Sequence, residues 1–300
     1  MNLHFSLRQL QVFLAVAHHH NVSRAAQALA MSQSACSSAL KDLENQYNLQ
    51  LFDRVGKRLR PNELGERLRP QAEALLAQAE AFEQSLSQQP GAGKLRIGAT
   101  LTIGNYLAVS LLNQYLQESP GSDVHLAVAN TAQITEALLN FDIDVGLIEG
   151  EVHHPALLVQ RWRPDELVCF CAPDHPFAER PSLSDDELLA ARWILRETGS
   201  GTRQSFDRAM HGLLPQLDIL LELQHTEAIK RAVEAGLGIS CLSRISLADA
   251  FKRGSLVPLE TPHRDLRRDL YIALHRQKYQ GAGLQRWLAI CNESVAAQCP

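Results

Sequence analysis

The sequence lacks the features that mark membrane-spanning and secreted proteins. Its longest uncharged stretch, 97–117, contains two glycines and several Thr, Asn and Gln residues, so it is too polar to cross a membrane. Six scattered cysteines without a Cys-x-x-Cys pair argue against a disulfide framework or a zinc ribbon. Arg8 and the histidine run 18–20 stand where an export signal needs its apolar core. These absences predict a cytoplasmic protein with reduced thiols.

Common enzyme motifs are also missing. The sequence has no Gly-x-x-x-x-Gly-Lys-Ser/Thr loop, no Gly-x-Ser-x-Gly elbow and no His-Glu-x-x-His pair. The glycine-containing stretch 199–202 lacks the lysine of a phosphate-binding loop. Consecutive histidines at 18–20 point in different directions at a helix end, which favours a solvated surface over a metal site. We therefore expect no catalytic residues, no bound metal and no cofactor.

Charge is distributed unevenly along the chain. The net charge is −4, yet residues 1–62 contain seven Lys or Arg against three acidic residues. A basic head on an acidic body predicts that the head binds a polyanion.

The head has the pattern of a winged helix-turn-helix. Apolar residues at 3.6-residue spacing predict a helix from Ser6 to Ala17, and small residues predict a second helix over 24–30. Ser32 is the expected N-cap of a third helix that runs to about residue 47. Beyond it, Gly56 is expected at a tight turn among basic residues, as in a β-ribbon wing.

The outer face of the third helix carries short hydrogen-bonding side chains, which suit the major groove of DNA. We expect the DNA contacts to come from Ser32, Gln33, Ser34, Ser37, Ser38, Lys41, Arg54, Lys57 and Arg58. Gln33 suits adenine, a contact worth about 1–3 kcal/mol of discrimination, and the basic groups suit phosphates, so binding should depend steeply on salt. The alternative is that the serine-rich face is merely solvated, and the basic wing weighs against it.

Asn62 is the expected N-cap of a long helix that extends to about residue 88. Apolar residues three and four apart form a heptad seam along it: Leu64, Leu68, Ala72, Leu75, Ala79, Phe82 and Leu86. Because the chain has no second long heptad helix, the simplest partner is the same helix of another copy. The sequence Gln-Gln-Pro-Gly-Ala-Gly at 88–93 then predicts a hinge.

From Lys94 onward, strand and helix patterns alternate, which predicts an α/β fold with two small sheets and a cleft between them. Strands are expected at 95–99, 124–129, 145–148, 166–171, 193–195, 220–223, 238–242 and 270–274. Helices are expected near 103–118, 132–140, 203–212, 226–236 and 283–296.

Three expected helix starts in this region suit an anion, because free backbone N–H groups and the helix dipole favour negative charge there. The candidate effector-binding residues at these starts and at nearby strand ends are Thr100, Leu101, Thr102, Asn130, Thr131, Glu149, Ser200, Gly201, Thr202, Arg203 and Thr226. Glu149 fits such a site only if it pairs with an arginine or faces away. The alternative is that the Ser and Thr residues are only helix caps.

Together these motifs resemble the LysR-type transcriptional regulators over essentially the whole chain. The residues that carry the resemblance are Leu7-Arg-Gln-Leu10, Phe13, Ser23-x-Ala-Ala26, Leu29, Ser32-Gln33, Leu43-Glu44, Leu51-Phe52-x-Arg54, Gly65, Ile97-Gly98, Val145-Gly146, Gly199-Ser-Gly-Thr202, Ala235-Gly236 and Gly238-Ile239. The branch it resembles most includes regulators of sulfur oxyanion metabolism. Many members have Pro where Ser34 stands and Arg where Ser38 stands, so the operator bases recognised here should differ.

The resemblance implies three parts: a winged helix-turn-helix DNA-binding domain (1–62), a dimerising linker helix with a hinge (63–93) and an effector-binding domain (94–300). It implies that the last part is similar to periplasmic binding proteins, with subdomain I at about 94–163 and 266–300 and subdomain II at about 164–265. The implied partners are double-stranded promoter DNA, a small anionic effector and further copies of the chain in a dimer of dimers, a homotetramer. RNA polymerase is a further candidate partner, and no membrane is expected.

Two other functions fit parts of the sequence. One is a small-molecule binding protein whose head only mediates oligomerisation, which predicts no salt-dependent DNA affinity. The other is an α/β enzyme that uses a cleft residue such as Cys241 or His225, which predicts turnover and a shifted pKa. Neither alternative needs both the heptad linker and the basic wing.

Overall fold

The computed structural model of the protein describes residues 4–56, 58–86 and 93–296. These residues form two compact units. The first contains the N-terminal part up to Gly93 together with Arg276–Gly283, and the second contains Lys94–His275 and the part that begins at Leu284. Within the described ranges, no helix combines the length and apolar character needed to span a bilayer.

The first unit is helical with one β-hairpin. Its elements are α1 (Leu7–His19), α2 (Val22–Ala28), α3 (Gln33–Gln46), β1 (Phe52–Val55), β2 (Arg58–Pro61) and α4 (Glu63–Leu86). The helix starts follow from capping side chains. Ser32 Oγ accepts a hydrogen bond from the backbone N–H of Ala35 at 3.2 Å, and Asn62 Oδ1 accepts one from Gly65 at 2.9 Å. The expected helix-turn-helix, hairpin and long helix are therefore all present.

The core of this unit lies between α1, α2 and α3. Val12, Phe13 and Val16 of α1 are fully buried or nearly so, and Ala25 of α2 leaves room for close helix crossing. The first half of α4 packs on this core through Leu64, Leu68, Ala72 and Leu76.

The heptad seam of α4 therefore divides into two halves. Its first half contacts the head of its own chain, which the heptad pattern did not predict. Leu75, Phe82 and Leu86 are 45%, 67% and 66% exposed. An apolar face of this kind is available to a partner. The expected hinge at 88–93 and the expected helix end near 88 lie mostly outside the described residues.

The second unit alternates strands and helices. Its elements are β3 (Lys94–Thr100), α5 (Leu101–Tyr106), α6 (Ala108–Glu118), β4 (Asp123–Ala129), α7 (Thr131–Leu139), β5 (Val145–Glu149), β6 (Leu157–Cys171), α8 (Asp185–Ala190), β7 (Arg192–Arg196), α9 (Gly201–Ala209), a 3₁₀ turn (Leu214–Gln216), β8 (Asp218–Leu223), α10 (Thr226–Glu234), β9 (Ser240–Ser243), α11 (Arg244–Arg253), β10 (Val257–Leu259), β11 (Arg267–His275) and α12 (Ala282–Ala296).

Two strands connect two lobes in this unit. In the first lobe β3 pairs in parallel with β4 and β5, and β11 lies antiparallel between β5 and β6. The far half of β6 pairs with β9 and β10 in the second lobe, where β7 and β8 form a parallel pair. The first lobe is built around Tyr115 and Trp287, and the second around Trp193 and Phe206. The chain therefore crosses between the lobes along β6 and β11.

Several elements differ from the sequence-based expectation. The helix expected over 103–118 is two helices, α5 and α6, separated at Leu107, and β6 begins at Leu157 rather than at 166. In the first half of β6, Gln160, Arg161, Arg163 and Pro164 interrupt the apolar pattern that predicts a strand. Helices α8 and α11 and the strand β10 were not expected: α8 is short, α11 follows β9 without a loop, and β10 has only three residues, with Pro258 in the middle.

We expect Gly65→Ala to destabilise the first unit. A Cβ atom at this position would lie 2.3 Å from the backbone oxygen of Leu51, so the start of α4 would have to move. The expected loss is about 1–3 kcal/mol of unfolding free energy, measured by urea denaturation. Gly281→Ala is the matched control, because its new Cβ would be no closer than 3.4 Å to Tyr279. Equal stability of the two variants would contradict the packing of α4 described above.

Candidate functional sites

The face of α3 expected to enter DNA is open to solvent. Gln33, Ser34, Ser38 and Lys41 are exposed, and Ser37 is half-buried. Ser32 is also exposed, and besides capping α3 its Oγ lies 3.0 Å from Ser34 Oγ. Cys36, Leu40 and Leu43 occupy the opposite, buried face. The exposed residues of the helix thus include the short polar groups and the lysine expected to contact DNA, together with the acidic Asp42.

The hairpin β1–β2 follows α3 as a two-stranded antiparallel wing. Arg54 and Arg58 are exposed on its strands, and Gly56 turns the chain with φ +62°. Lys57, the third basic residue expected to contact DNA here, lies outside the described residues. A hydrogen bond joins the wing to the end of α1: the N–H of Leu59 donates to the backbone oxygen of His20 at 3.0 Å.

A buried ionic network lies where the strands cross between the lobes. Three adjacent strands contribute one charged residue each: Asp165 on β6, Arg268 on β11 and Glu149 at the end of β5. The strand register places Arg268 opposite Asp165, and Leu270 opposite Glu149. Asp165, Arg268 and Glu149 are 9%, 5% and 1% exposed, respectively.

Arg268 binds both carboxylates. Its Nε lies 2.7 Å from Asp165 Oδ2, and its Nη1 lies 3.0 Å from Glu149 Oε2. Ser243 Oγ donates to the other oxygen of Asp165 at 2.8 Å. Buried charges of this kind are tolerated only when they are paired and hydrogen-bonded, so the network fixes the relative positions of the three strands.

The carboxylate of Glu149 sits in a set of donors that we call the cradle: Thr100, Thr102, Thr202 and Arg268. Glu149 Oε1 accepts from the hydroxyl of Thr100 at 2.9 Å and from the backbone N–H of Thr102 at 2.8 Å. Glu149 Oε2 accepts from the hydroxyl of Thr202 at 2.7 Å as well as from Arg268. Thr100 and Thr102 belong to the first lobe and Thr202 to the second, so the carboxylate joins the lobes.

The cradle keeps this carboxylate ionised. Burial by itself would raise the pKa of Glu149, but the charge of Arg268, the hydrogen bonds from Thr202 and Thr102 and the charge of Arg196 outweigh it. The net effect lowers the pKa of Glu149 from its ordinary value of 4.5 to about 2.

Beside the cradle, the lobes meet through backbone groups. Thr131 Oγ1 donates to the backbone oxygen of Glu149 at 2.8 Å and accepts from the N–H of Gly201 at 3.1 Å. A Cβ atom on Gly201 would lie 1.9 Å from that same oxygen, so only glycine permits this approach. Nearby, Asn130 Nδ2 donates to Glu197 Oε1 at 3.1 Å.

The buried polar groups without a hydrogen-bond partner among the described residues include Arg268 Nη2, Thr226 Oγ1 and Ser240 Oγ. A buried donor without a partner costs about 1–3 kcal/mol, so such groups mark places where water or a ligand is accommodated. Thr226 opens α10, and its hydroxyl is buried at the start of that helix.

The structure brings together most of the residues expected to bind an effector. Thr100, Thr102, Thr131, Glu149, Gly201 and Thr202 are in mutual contact. Leu101 is the buried first residue of α5, and Ser200 is the N-cap of α9. Arg203 does not join them, which corrects its expected position: its guanidinium pairs with Asp207 at 2.8 Å and Glu222 at 2.7 Å.

The arginine of the site is Arg268, which sequence reasoning missed together with Asp165 and Ser243. The two-residue spacing of apolar side chains in β11 could have identified Arg268 as a buried residue. Arg268 stands two residues before Leu270 and four before Ile272, on the buried face of the strand. A charged residue in that position has to meet an opposite charge inside the protein.

Comparisons with known proteins agree with this architecture. The family model "Bacterial regulatory helix-turn-helix protein, lysR family" matches residues 7–66, and the model "LysR substrate binding domain" matches residues 88–296. The chain is 44% identical over 290 residues to the uncharacterized HTH-type transcriptional regulator YeiE of Escherichia coli K12, covering 97% of this chain and 98% of that protein.

Solved structures show the same fold. A full-length OxyR variant from Pseudomonas aeruginosa matches with a TM-score of 0.72 and 22% identity, covering 98% of this chain and 95% of that one. The regulatory domain of CcmR from Synechocystis PCC6803, in complex with 2-PG, matches with a TM-score of 0.64 and 29% identity, over 69% of this chain and 99% of that one.

A helix-turn-helix unit with an exposed polar helix, followed by a two-lobed binding unit, defines a DNA-binding transcriptional regulator with an effector-binding domain. The chain belongs to the LysR family of bacterial regulators.

We expect Arg268→Met to destabilise the protein by about 3–5 kcal/mol, because two buried carboxylates lose their counter-charge. Urea denaturation monitored by circular dichroism measures the loss. Arg267→Met is the control: this neighbouring arginine is exposed and pairs only with the exposed Asp265, so its loss should leave the transition unchanged. Similar midpoints for both variants would contradict the network.

We also expect the contribution of Glu149 to depend on pH. Its folded-state pKa of about 2 lies below the ordinary value of 4.5, so its stabilising effect is complete above pH 4.5 and is lost as the pH falls toward 2. The stability difference between the wild type and Glu149→Gln should therefore be larger at pH 7 than at pH 3 in urea denaturation. A difference that is the same at both pH values would show that the carboxylate charge does not matter.

Proposed function

We propose that the protein binds promoter DNA through α3 and the wing, and that a small anion bound between the two lobes changes this binding. The DNA contacts in this proposal are the expected residues Ser32, Gln33, Ser34, Ser37, Ser38, Lys41, Arg54, Lys57 and Arg58. The proposed division of the chain is DNA-binding domain 1–62, linker 63–93 and effector-binding domain 94–300.

The proposal of an anionic effector rests on the donors of the cradle, which bind the carboxylate of Glu149. Two threonine hydroxyls, a backbone N–H and a guanidinium all bind the oxygens of one carboxylate, Glu149. Carboxylates and oxyanions are the ligands that such a donor set prefers. An effector with the same chemistry would displace Glu149 or bind the unpartnered groups of Arg268 and Thr226 beside it.

Anion binding in the cradle would change how the two lobes are held together. Thr100 and Thr102 lie in the first lobe and Thr202 in the second, so the occupant of the cradle contacts both. A ligand that binds one arrangement of the lobes more tightly shifts the population toward it. The related regulatory domain of CcmR is known in complex with 2-PG, which supports a small-molecule ligand in a domain of this fold.

The exposed half of the α4 seam supports assembly with further copies of the chain. Leu75, Phe82 and Leu86 lie seven and four residues apart along the helix and remain uncovered in the single chain. Apolar residues at this spacing pair with an equivalent helix. We infer a homodimer through this helix and, as in the family, a dimer of dimers.

Fluorescence anisotropy with the DNA upstream of the protein's own gene tests the proposal. The titration is made at two salt concentrations, without ligand and with sulfate, sulfite, phosphate or acetate. Tight, salt-sensitive binding that one of these anions changes at least several-fold supports a ligand-responsive regulator. Affinity equal to that for random DNA and independent of salt would instead support a small-molecule binding protein with an oligomerisation head.

We expect Arg54→Ala and Arg58→Ala each to weaken DNA binding and to flatten its salt dependence. Each arginine is exposed on the wing, and the loss of one phosphate contact reduces the slope of log K against log [salt] by about 1. Arg180→Ala, which removes an exposed arginine of the second unit paired with Glu187, is the control. An unchanged slope in both wing variants would remove the wing from the DNA interface.

We expect Glu149→Ala to create a site for added oxyanions in the emptied cradle. Sulfate or acetate should raise the Tm of this variant by about 2–4 °C, which corresponds to about 1 kcal/mol of binding free energy in a domain of this size. The double variant Glu149→Ala with Thr202→Val should respond less, because one cradle donor is missing. Glu151→Ala, an exposed neighbour, controls for general salt effects. An equal rise in all three variants would refute an anion-binding cradle.

A further inference from the structure

The two sides of the cleft between the lobes are closed by different kinds of contact. On the side of α7 and α9, main-chain groups meet directly: the N–H of Ala132 donates to the oxygen of Gly199 at 3.2 Å, and Gly201 packs against the backbone of Glu149. Thr131 Oγ1 binds both backbones at once. Thr131, Glu149 and Gly201 are buried, so water cannot readily replace their contacts, whereas Ala132 and Gly199 are exposed.

On the side of α5 and α10, the closure depends on side chains. The hydroxyl of Tyr106, at the end of α5, donates to Glu227 Oε1 at 2.7 Å. Lys230 Nζ donates to the same oxygen at 2.6 Å and lies 3.4 Å from the hydroxyl of Tyr106. In the described part of the chain, every hydrogen bond from α5 to α10 or α11 runs through Tyr106. We call this cluster of Tyr106, Glu227 and Lys230 the bridge.

Lys230 anchors the bridge in the second lobe. It is 7% exposed, its Nζ donates to the backbone oxygen of Ser246 at 3.2 Å, and it lies 5.9 Å from the centre of the Tyr106 ring. Burial and the adjacent Glu227 raise the pKa of Tyr106, so its hydroxyl stays protonated and remains a donor. The Glu227 side chain is 61% exposed, so water can reach the bridge and compete for it.

The bridge connects α5, which begins at the cradle, to α10, which begins at Thr226. Tyr106 ends α5, whose first turn holds Glu149 through the N–H of Thr102. Glu227 and Lys230 lie in α10, directly after Thr226, whose hydroxyl is buried without a partner. Opening the bridge would therefore separate the helix that holds one side of the cradle from the helix that begins at Thr226.

We propose that the Tyr106–Glu227–Lys230 bridge is the gate of the effector cleft. It opens to admit the anion and closes behind it, while the α7–α9 side stays joined as the hinge. The assignment of this cleft to an effector rests on the proposed function above. The bridge suits a gate because its Tyr106–Glu227 hydrogen bond is open to solvent, whereas the opposite side would have to break the buried contacts of Thr131, Glu149 and Gly201.

Hydrogen–deuterium exchange of the full-length protein without ligand tests the gate. Tyr106→Phe deletes one hydroxyl, and we expect at least fivefold faster amide exchange in α5 and α10, with α7 and α9 unchanged. Tyr271→Phe is the matched control, because the hydroxyl of Tyr271 has no hydrogen-bond partner among the residues that the structure describes. Unchanged exchange in α5 and α10 overturns the gate. Equally faster exchange at α7 and α9 also overturns it, since that result indicates general loosening of the lobes.

A second variant covers the case in which Tyr106→Phe does not fold. Glu227→Gln alters a mostly exposed side chain, keeps an oxygen for Tyr106 and removes the charge that holds Lys230, so it should give the same pattern with a smaller increase. The exchange experiment uses no ligand. If sulfate, sulfite, phosphate and acetate all fail to change DNA binding, the proposed function fails while the bridge result stands. If only the exchange experiment gives the contrary result, the gate is refuted and the proposed effector site is not.

Discussion

One buried guanidinium organises the second unit of this protein. Arg268 lies on a strand that both lobes share, and it neutralises Asp165 on the strand at one side and Glu149 on the strand at the other. Removing Arg268 leaves two buried carboxylates without their counter-charge. The crossing strands, the start of α5 and the start of α9 are all positioned around this requirement.

Function follows from what the network holds in place. Glu149 occupies the cradle with a carboxylate of the protein itself, so under the proposed function an external anion would act by changing this arrangement of the lobes. The response would then depend on the difference in binding free energy between Glu149 and the external anion in the cradle. The first unit supplies the other half of the regulator: small residues between its helices, and polar or basic groups on the exposed helix and wing.

Sequence reasoning located the elements whose signals are local. Ser32 and Asn62 cap the helices they were expected to cap, and Thr100 and Thr202 stand at strand-to-helix or loop-to-helix junctions that the chain order alone reveals. It named Arg203, a neighbour in sequence, and missed Arg268, which meets Asp165 across 103 residues. Strand register creates that contact, and register is set by the packed sheet rather than by spacing along the chain.

A double-mutant cycle on Glu149→Gln and Arg268→Met most directly tests the claim that this buried pair joins the two lobes. Unfolding free energies of the wild type, both single variants and the double variant give the coupling between the two side chains, free of their separate effects. If the pair organises the unit, the coupling should be about 2–3 kcal/mol, and the double variant should be more stable than the sum of the single losses implies. Additive losses, with a coupling near zero, would contradict it.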